Sequence, residues 1–472
     1  MKKQDAPIIA GLLADILYAY GFFLLIPLVI GLFTAEHTQA LTFGVGAALF
    51  IPVFFVLRRK TSAGDVEYRH TAMTLALAWI LLSIFSSIPF MVHGMSWINA
   101  LFESFSAWTD TGLTMIPHPE DLPVSLSLFR VLMQWVSGLG IVMFMLFLHG
   151  SSPRAAQSFF QAEGRFEDFT TNLWQVGRIV VLIYVAYTLI GSLLLWISGV
   201  PPFHALTHAI TSLSTGGFST NPVGVGLYGV WPSIVAMGLM LCGGISFSSH
   251  QALLSGNVKK FFRNPEIRAL FAIIVGAAGL LLLEQALSAG HVARALESVF
   301  YAVTAITTCG AGAALALTEV PDVFVFTLIF LMVSGAVYGS TTGALKLWRL
   351  IILWKIVRRE VKRPFYPTNT LMPIRMGHNL ITEKVGLQAA AYVLLYLAVG
   401  LVGSLIFMLM GYRSLHALFT VFSAQGNVGL NAMPEALYYG MSPLLKLQLI
   451  FHMLIGRMEI FPLLYLLRGL RE

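Results

Sequence analysis

Charged residues are scarce in this sequence. Only 11% of its 472 residues are Asp, Glu, Lys or Arg, whereas 57% are hydrophobic. Soluble domains carry about 25% charged residues, so this composition excludes an ordinary soluble enzyme and indicates a polytopic membrane protein. The formal net charge of +7 is interpreted as a bias that orients the chain in a membrane, and no nucleic-acid partner is expected.

Residues for covalent or metal chemistry are also sparse. The two cysteines, Cys242 and Cys309, lie in different apolar regions, which excludes a disulfide framework. The twelve histidines show no metal-ligand spacing, and neither paired acids nor a nucleophile–base pair stand out in the apolar segments. We therefore expect no enzymatic activity and no cofactor in this chain. The longest polar connections, roughly residues 150–173 and 358–384, are interpreted as charged linkers too short for a soluble domain.

Long apolar runs dominate the chain instead. About 20 residues cross a bilayer core as a helix, and ten such runs occur, near residues 8–33, 40–57, 71–92, 125–149, 174–198, 231–254, 269–289, 323–357, 385–411 and 443–467. Of the 29 lysines and arginines, 24 fall on one side of this topology. Because lysine and arginine favour the cytoplasmic side, both termini are predicted to be cytoplasmic. The first run is too long for a cleaved signal peptide and is read as an uncleaved helix.

Four glycine-containing segments repeat along the last eight runs. NALFESFSAWTDTG, HALTHAITSLSTGG, ESVFYAVTAITTCG and HALFTVFSAQGNVG align without gaps on glycines separated by 105, 93 and 119 residues. Six residues before each glycine stands a hydroxyl, namely Ser106, Thr211, Thr304 and Ser423. This register indicates a fourfold internal repeat. Each segment has room for a helix of about three turns, too short to span, so it is predicted to be re-entrant.

These patterns predict an all-α integral membrane protein: two N-terminal helices, then four helix–pore loop–helix repeats around a central ion pathway. The N-terminal transmembrane helix pair is placed at residues 1–69. The four repeats are placed at residues 70–172, 173–267, 268–384 and 385–472, the third with a broken helix and a gate loop.

The glycine segments are predicted to bind a cation with their backbone. Irregular backbone at membrane depth survives only inside protein or beside a wet cavity, and rings of carbonyls replace the water that an ion sheds. The alternative is that the glycines only allow close helix packing. Filter strands are predicted at residues 110–114, 215–219, 308–312 and 427–431. The predicted ion-binding residues are Asp110, Thr111, Gly112, Thr215, Gly216, Gly217, Thr308, Cys309, Gly310, Asn427, Val428 and Gly429.

The run at 323–357 is too long for a single span. As a helix it would reach about 50 Å, against a bilayer core of about 30 Å. Its middle, SGAVYGSTTG at residues 334–343, contains three glycines and should break the helix. A broken helix at membrane depth usually borders a substrate path; a passive kink is the alternative. The gate residues predicted here are Gly335, Gly339, Ser340, Thr341, Thr342, Gly343 and Lys346.

Three charged residues near these segments have alternative roles. Asp110 either turns its carboxylate to the ion path or points away and binds backbone N–H groups. Lys346 is either a pore-facing charge or a lysine that snorkels to the cytoplasmic end. Arg457, in the middle of the last apolar run, either faces a wet cavity or forms a structural ion pair with another span, through Glu103 or Glu284.

The motifs FRVLMQWVSGLGIV, STGGFST, TTCGAG, GSTTGALKLWR, GNVGL and IGRMEIF together resemble the Trk/Ktr/HKT superfamily of potassium transporters, most closely its TrkH branch, which has the extra N-terminal helix pair. The resemblance implies that Gly112, Gly217, Gly310 and Gly429 are selectivity-filter glycines. Plant relatives with serine at the first position favour sodium, so four glycines imply a potassium filter. The resemblance also implies that the loop at residues 334–343 obstructs the pore. It further implies that Arg457 projects into the pore below the filter, as part of the gate.

The same resemblance implies the physiological role. It predicts potassium uptake across the bacterial inner membrane, driven largely by the membrane potential, with potassium as substrate. It further implies a homodimer in membrane lipid, controlled by a cytoplasmic TrkA-type ring that binds NAD or ATP. A proton- or sodium-coupled symporter on the same scaffold is the alternative, with Asp110 as the titratable group near the filter. Asp110 stands where the family has a neutral residue.

Overall fold

The structure is a computed structural model that describes residues 5–58, 67–140, 173–289, 295–313, 315–367, 370, 372–377 and 379–458. Regular structure in these ranges is almost entirely helical, so the predicted all-α class is confirmed. The strands that the described ranges contain form one short antiparallel hairpin, Ile374–Met376 with Asn379–Ile381. This hairpin lies in the segment near residues 358–384 that the sequence predicted to be a linker.

The N-terminal helices pack against the first repeat. They comprise Asp5–Phe23, Leu25–Phe33 and His37–Arg58. The Tyr20 hydroxyl and the Trp108 indole N–H each lie 2.8 Å from the Ser86 hydroxyl, which joins the leading helix to the back of the first repeat. The Glu36 carboxylate accepts the first two backbone N–H groups of Val124–Leu139 at 2.7 and 3.0 Å. An acidic group at a helix N-terminus satisfies orphan donors and complements the helix dipole.

Each repeat begins with a long helix and places a short one after it. The long helices are Tyr68–Ser86 with its continuation Ile88–Val92, Leu173–Ile197, Pro265–Ala289 and Glu383–Leu409. The short ones, called pore helices 1 to 4, are Trp97–Trp108, Pro202–Ser214, Ala295–Ile306 and Ser414–Gln425. They have 12 or 13 residues, about three turns, which confirms the predicted length.

A second helix completes each repeat after a non-helical strand. These helices are Val124–Leu139, Val230–Gly244, Asp322–Ser334 and Pro443–Met458. The 16-residue helix Leu347–Lys362 follows the second helix of the third repeat. Shorter helices at Phe247–Leu254, Val258–Arg263 and Glu435–Tyr439, and single 3₁₀ turns at Pro119–Asp121, Val225–Tyr228 and Arg363–Phe365, lie in the connections. The central residues of the pore helices are buried, whereas the long helices carry many exposed leucines and isoleucines. Such a surface suits lipid, which is as apolar as these side chains.

Six helices in the described ranges are long and apolar enough to cross a membrane: Ala6–Phe33, His37–Phe54, Arg69–Val92, Gly177–Ile197, Pro265–Glu284 and Glu383–Leu409. They match six of the ten predicted spans. Two further predicted spans are described only in part. Val124–Leu139 ends at Gly140, where φ is 94°, and Pro443–Met458 reaches the last described residue.

The other two predicted spans are broken. The run at 323–357 is interrupted between Ser334 and Leu347, as predicted. The run at 231–254 is not one continuous helix: Val230–Gly244 and Phe247–Leu254 meet at an angle of 106°. The Gly243 α-carbon packs so closely on the Leu213 carbonyl oxygen that a side chain would overlap it, and the chain turns directly afterwards.

The topology makes a labelling prediction. Cysteines introduced singly at exposed Glu120 and Leu227 should react with an impermeant thiol reagent on intact cells. Cysteines at exposed Lys259 and Arg363 should react only after permeabilisation. The protein without an introduced cysteine is the control for background labelling, because its own Cys242 is partly buried and its Cys309 is buried. Labelling at position 363 from outside would contradict the topology.

Candidate ion pathway and gate

All four pore helices end with the same turn. The residue after the last helical turn has a left-handed conformation in each repeat, with φ of 58° at Asp110, 64° at Thr215, 54° at Thr308 and 52° at Asn427. The next N–H then donates back to the carbonyl five residues earlier, at 2.9 Å in every repeat. This resembles the left-handed cap that usually requires glycine. A threonine there is a conformational outlier, and such strain concentrates at functional sites.

The recurrent hydroxyls of the aligned segments occupy this turn. The carbonyls that accept these four bonds belong to Ser106, Thr211, Thr304 and Ser423. In the third and fourth repeats the hydroxyl itself also donates across the strand, from Thr304 to the Ala311 carbonyl at 3.3 Å and from Ser423 to the Leu430 carbonyl at 2.7 Å. The sequence column therefore marks where each pore helix passes into its strand.

The four aligned glycines form a closed ring. Each has a positive φ, between 69° and 94°. The α-carbon of each lies against a carbonyl oxygen of the following repeat, and a β-carbon would overlap that oxygen: Gly112 on Gly216, Gly217 on Cys309, Gly310 on Val428 and Gly429 on Thr111. The twelve predicted ion-binding residues thus lie in four strands that meet one another in cyclic order. These contacts join non-helical segments. The alternative that the glycines only allow close packing of helices therefore does not describe them.

The segment between Ser334 and Leu347 contains the predicted gate residues and is called the gate loop. It touches three of the four left-handed residues. The Thr341 hydroxyl lies 3.0 Å from the Thr215 hydroxyl, and the Gly343 N–H donates to the Thr308 hydroxyl at 2.9 Å. A β-carbon on Gly343 would lie 2.9 Å from the Asn427 β-carbon. The gate loop therefore lies directly against the ends of the second, third and fourth filter strands.

The gate loop also caps the broken helix of the second repeat. The Val337 and Thr341 N–H groups donate to the carbonyls of Gly244 and Gly243, both at 3.1 Å. The bend after Gly244 leaves the last carbonyls of that helix without intrahelical partners, and an unsatisfied carbonyl is costly in a membrane. The gate loop thus supplies the backbone donors that the bent helix needs. These hydrogen bonds join two different repeats, so no local sequence pattern predicts them.

Hydroxyl and ammonium groups hold the gate loop internally. The Ser340 hydroxyl donates to the Val337 carbonyl at 2.5 Å and lies 2.8 Å from the Thr342 hydroxyl. The Lys346 ammonium donates to the Thr342 carbonyl and, at 2.9 Å, to its hydroxyl. Lys346 turns back into the loop, so the snorkelling alternative is wrong. Gly335 and Gly339 have φ of 65° and 76°, which explains glycine at these turns.

Arg457 joins the gate loop to the first repeat. Its guanidinium donates to the Thr341 carbonyl at 3.0 Å and to the Ser137 carbonyl, and lies 3.9 Å from the Asp110 carboxylate. Ion pairing with Glu103, one partner considered for it, is wrong because Glu103 binds Arg130. The alternative that Asp110 binds backbone N–H groups is also wrong, since neither carboxylate oxygen has a hydrogen-bond partner among the described residues. Glu459, in the same motif, lies outside them.

Comparison with known proteins identifies the family of this four-repeat arrangement. The sequence model of the TrkH family, described as a cation transport protein, matches residues 37–470. The chain belongs to the TrkH family. It is therefore a multi-span membrane cation transporter and not an enzyme.

Individual TrkH-family relatives match nearly end to end. An uncharacterized cation transporter of Methanocaldococcus jannaschii is 31% identical and aligns over 99% of this chain and 96% of its own. The Trk system potassium uptake protein TrkH of Escherichia coli K12 is 27% identical over 91% and 90% of the two chains. The crystal structure of the potassium transporter TrkH from Vibrio parahaemolyticus superposes with a TM-score of 0.84, at 25% identity, over 99% of both chains.

Sequence reasoning missed a buried ion pair on the other side of this TrkH-type ring. Glu103 on pore helix 1 accepts from Arg130 Nε at 2.5 Å, and both side chains are almost fully buried. Glu103 also accepts the Met115 N–H at 2.9 Å. Arg130 donates to the Ser219 carbonyl at 2.9 Å and stacks 3.7 Å from the Phe218 ring centroid. The pair ties the first two of these strands together beyond their ring glycines, at Met115 and Ser219. The sequence did contain a sign of this ion pair, namely two opposite charges in apolar segments of one repeat.

Gln134 supports the second strand from behind. Its amide N–H donates to the Gly216 carbonyl at 2.6 Å, and its carbonyl accepts the Phe218 N–H at 3.2 Å. Gln134 lies in the FRVLMQW motif. The first two strands are thus braced by side chains of the second helix of repeat 1, whereas the last two are braced by their own pore-helix hydroxyls.

The filter glycines can be tested against a glycine with the same conformation. Gly217→Ser should overlap the Cys309 carbonyl and lower the potassium-to-sodium permeability ratio in liposome flux. Gly229→Ser is the matched control, because φ there is 99° and nothing lies within 4 Å of a β-carbon. It should carry only a strain of about 1–3 kcal/mol and leave the ratio unchanged. Equal ratios in both variants would contradict the ring.

The buried pair makes a stability prediction. Arg130→Met should leave Glu103 charged and without its cation, which costs about 3–5 kcal/mol. Adding Glu103→Gln should recover most of the loss, because the amide oxygen still accepts the Met115 N–H. Thermal unfolding of the detergent-purified protein measures both. A double variant as unstable as the single would show that the charge pair is not the cause.

Proposed function

We propose that the chain carries potassium inward across the bacterial inner membrane through the ring of Gly112, Gly217, Gly310 and Gly429. The single observation that carries this proposal is the ring itself, in which one glycine of each repeat packs against a carbonyl of the next. Two relatives named above are potassium uptake or transport proteins by name. The membrane potential draws the cation in, and both chain termini lie in the cytoplasm.

The backbone of the four strands replaces the water that potassium sheds. The twelve residues from Asp110 to Gly429 named above supply the carbonyls, because carbonyl rings can take the place of a hydration shell. The C-terminal, partly negative ends of all four pore helices meet at these strands, which stabilises a cation there. One carbonyl, that of Gly216, also accepts a hydrogen bond from Gln134. The ring is therefore not electrically uniform.

The gate loop and Arg457 close the inner side of the ring. The loop is attached to the filter strands by its contacts to Thr215 and Thr308, and to Arg457 through the Thr341 carbonyl. Each such hydrogen bond contributes about 0.5–1.5 kcal/mol net. Displacing the loop therefore costs a few kcal/mol, a difference that binding of a partner can supply.

Control from the cytoplasm reaches the loop through the helix that follows it. Leu347–Lys362 starts where the loop ends and carries basic residues in its last turn. A shift of this helix pulls directly on Lys346 and Thr342. We assign the shift to a cytoplasmic TrkA-type ring that binds NAD or ATP and acts on a homodimer of this chain.

A proton- or sodium-coupled symporter is the alternative, favoured only by the buried Asp110 carboxylate near the filter. Its pairing with Arg457 gives that carboxylate another role. The alternative requires that potassium uptake into liposomes under a fixed voltage change with an imposed proton or sodium gradient. Potassium uptake that does not change with either the proton or the sodium gradient supports channel-like conduction.

Regulator dependence tests the gate. Deleting residues 339–342 should make voltage-driven potassium uptake into liposomes largely independent of the regulatory ring. Thr341→Val should do so partially, since it removes the hydroxyl contacts to Thr215 and to the Gly243 carbonyl. Thr327→Val is the matched control, because that exposed hydroxyl bonds only within its own helix. Full regulator dependence after the deletion would place the gate elsewhere.

A further inference from the structure

Asp110 differs from the residues at the same position in the other repeats. Thr215, Thr308 and Asn427 are neutral, and their side chains bind the gate loop or neighbouring strands. Asp110 is acidic and only 1% exposed, and among the described residues no backbone N–H donates to its carboxylate. Its polar surroundings are the Ser214 hydroxyl and the Arg457 guanidinium, 3.9 Å away.

The Asp110 carboxylate reaches across to the second filter strand. A β-carbon on Gly216 would overlap one carboxylate oxygen of Asp110 and also contact the Gln134 amide. The negative charge therefore lies between the first two strands, at their gate-loop end. Arg457 brings a positive charge to the same place from the last helix and also binds the Thr341 carbonyl of the gate loop.

Neither charge is stable in this place alone. A buried ion without a partner is strongly unfavourable, whereas a paired one is tolerated. Arg457 without Asp110 would repel a cation arriving at the inner end of the filter, and Asp110 without Arg457 would hold it there. Both effects are large because Coulomb interactions are weakly screened in a protein interior.

We propose that Asp110 is a specificity-determining residue that neutralises Arg457 and so sets the cation affinity at the inner end of the filter. This inference rests on the proposed function. When the gate loop moves, Arg457 loses the Thr341 carbonyl but keeps the Ser137 carbonyl and the Asp110 carboxylate. Asp110 then holds the guanidinium against the wall between the first and fourth repeats, which keeps it out of the open path.

A double-mutant cycle measures the coupling. Wild type, Asp110→Asn, Arg457→Gln and the double variant are compared by the potassium concentration that gives half-maximal uptake into liposomes under a fixed voltage. Asp110→Asn should raise this concentration at least about tenfold, and Arg457→Gln should lower it at least about tenfold. The double variant should return to within about threefold of wild type. Glu319→Gln, which neutralises an exposed carboxylate, is the control and should match wild type.

The open path is tested in the protein lacking residues 339–342. There Asp110→Asn should lower potassium uptake, because of its three partners Arg457 then keeps only the Ser137 carbonyl. Asp110→Glu, which keeps the charge, should preserve uptake. Equal uptake in all three proteins would overturn the holding role.

The outcomes separate this inference from the proposed function. Wild type that takes up no potassium even with the regulatory ring present contradicts the function itself. Potassium uptake by wild type with additive or same-direction shifts in the cycle overturns only the role of Asp110. Arg457→Gln could fail to insert into the membrane. In that case the test is the thermal stabilisation of purified Asp110→Asn and Asp110→Thr by potassium. Stabilisation at the same potassium concentration as wild type contradicts the proposal, and a need for more potassium to stabilise the variants supports it.

Discussion

The whole arrangement depends on satisfying backbone polar groups where no water is available. Four chain segments stop being helical inside the membrane-embedded part of the protein, and each must find partners for its N–H and C=O groups. The pore helices do so through one shared turn, in which a left-handed residue lets the next N–H bind back at 2.9 Å. The carbonyls that remain are enclosed by the glycines of neighbouring repeats. The same requirement explains the other end of the strands, where gate-loop N–H groups cap the bent helix of the second repeat.

Charge reinforces this backbone framework on both sides of the ring. Glu103 and Arg130 tie the first two strands together at one end, and Asp110 and Arg457 meet at the other. Buried ions persist only in pairs, so each pair also fixes the relative position of the repeats that carry it. The repeats are therefore not equivalent: the first contributes three of the four charges, while the third contributes the loop that lies against the strands of the other repeats.

The predicted and observed structures differ where a residue's role depends on another repeat. The span at 231–254 read as one apolar helix, because nothing in its composition shows that Gly243 packs on the Leu213 carbonyl. Glu103 was considered as a partner for Arg457, but Arg130 is nearer once the first repeat has folded. The sequence around Lys346 was consistent with either a pore-facing charge or a snorkelling lysine. Only the folded loop shows that its ammonium binds Thr342.

The sequence by itself determined the all-α class, the re-entrant helices of about three turns, the four aligned glycines and the break after Ser334. These features follow from hydropathy, local spacing and the conformational freedom of glycine, all of which act over a few turns of chain. The tertiary structure alone decided which carbonyl faces each glycine, where the second repeat bends and which carboxylate meets which arginine. Those pairings join residues of different repeats, and their partners are set by the cyclic order of the repeats around the ring.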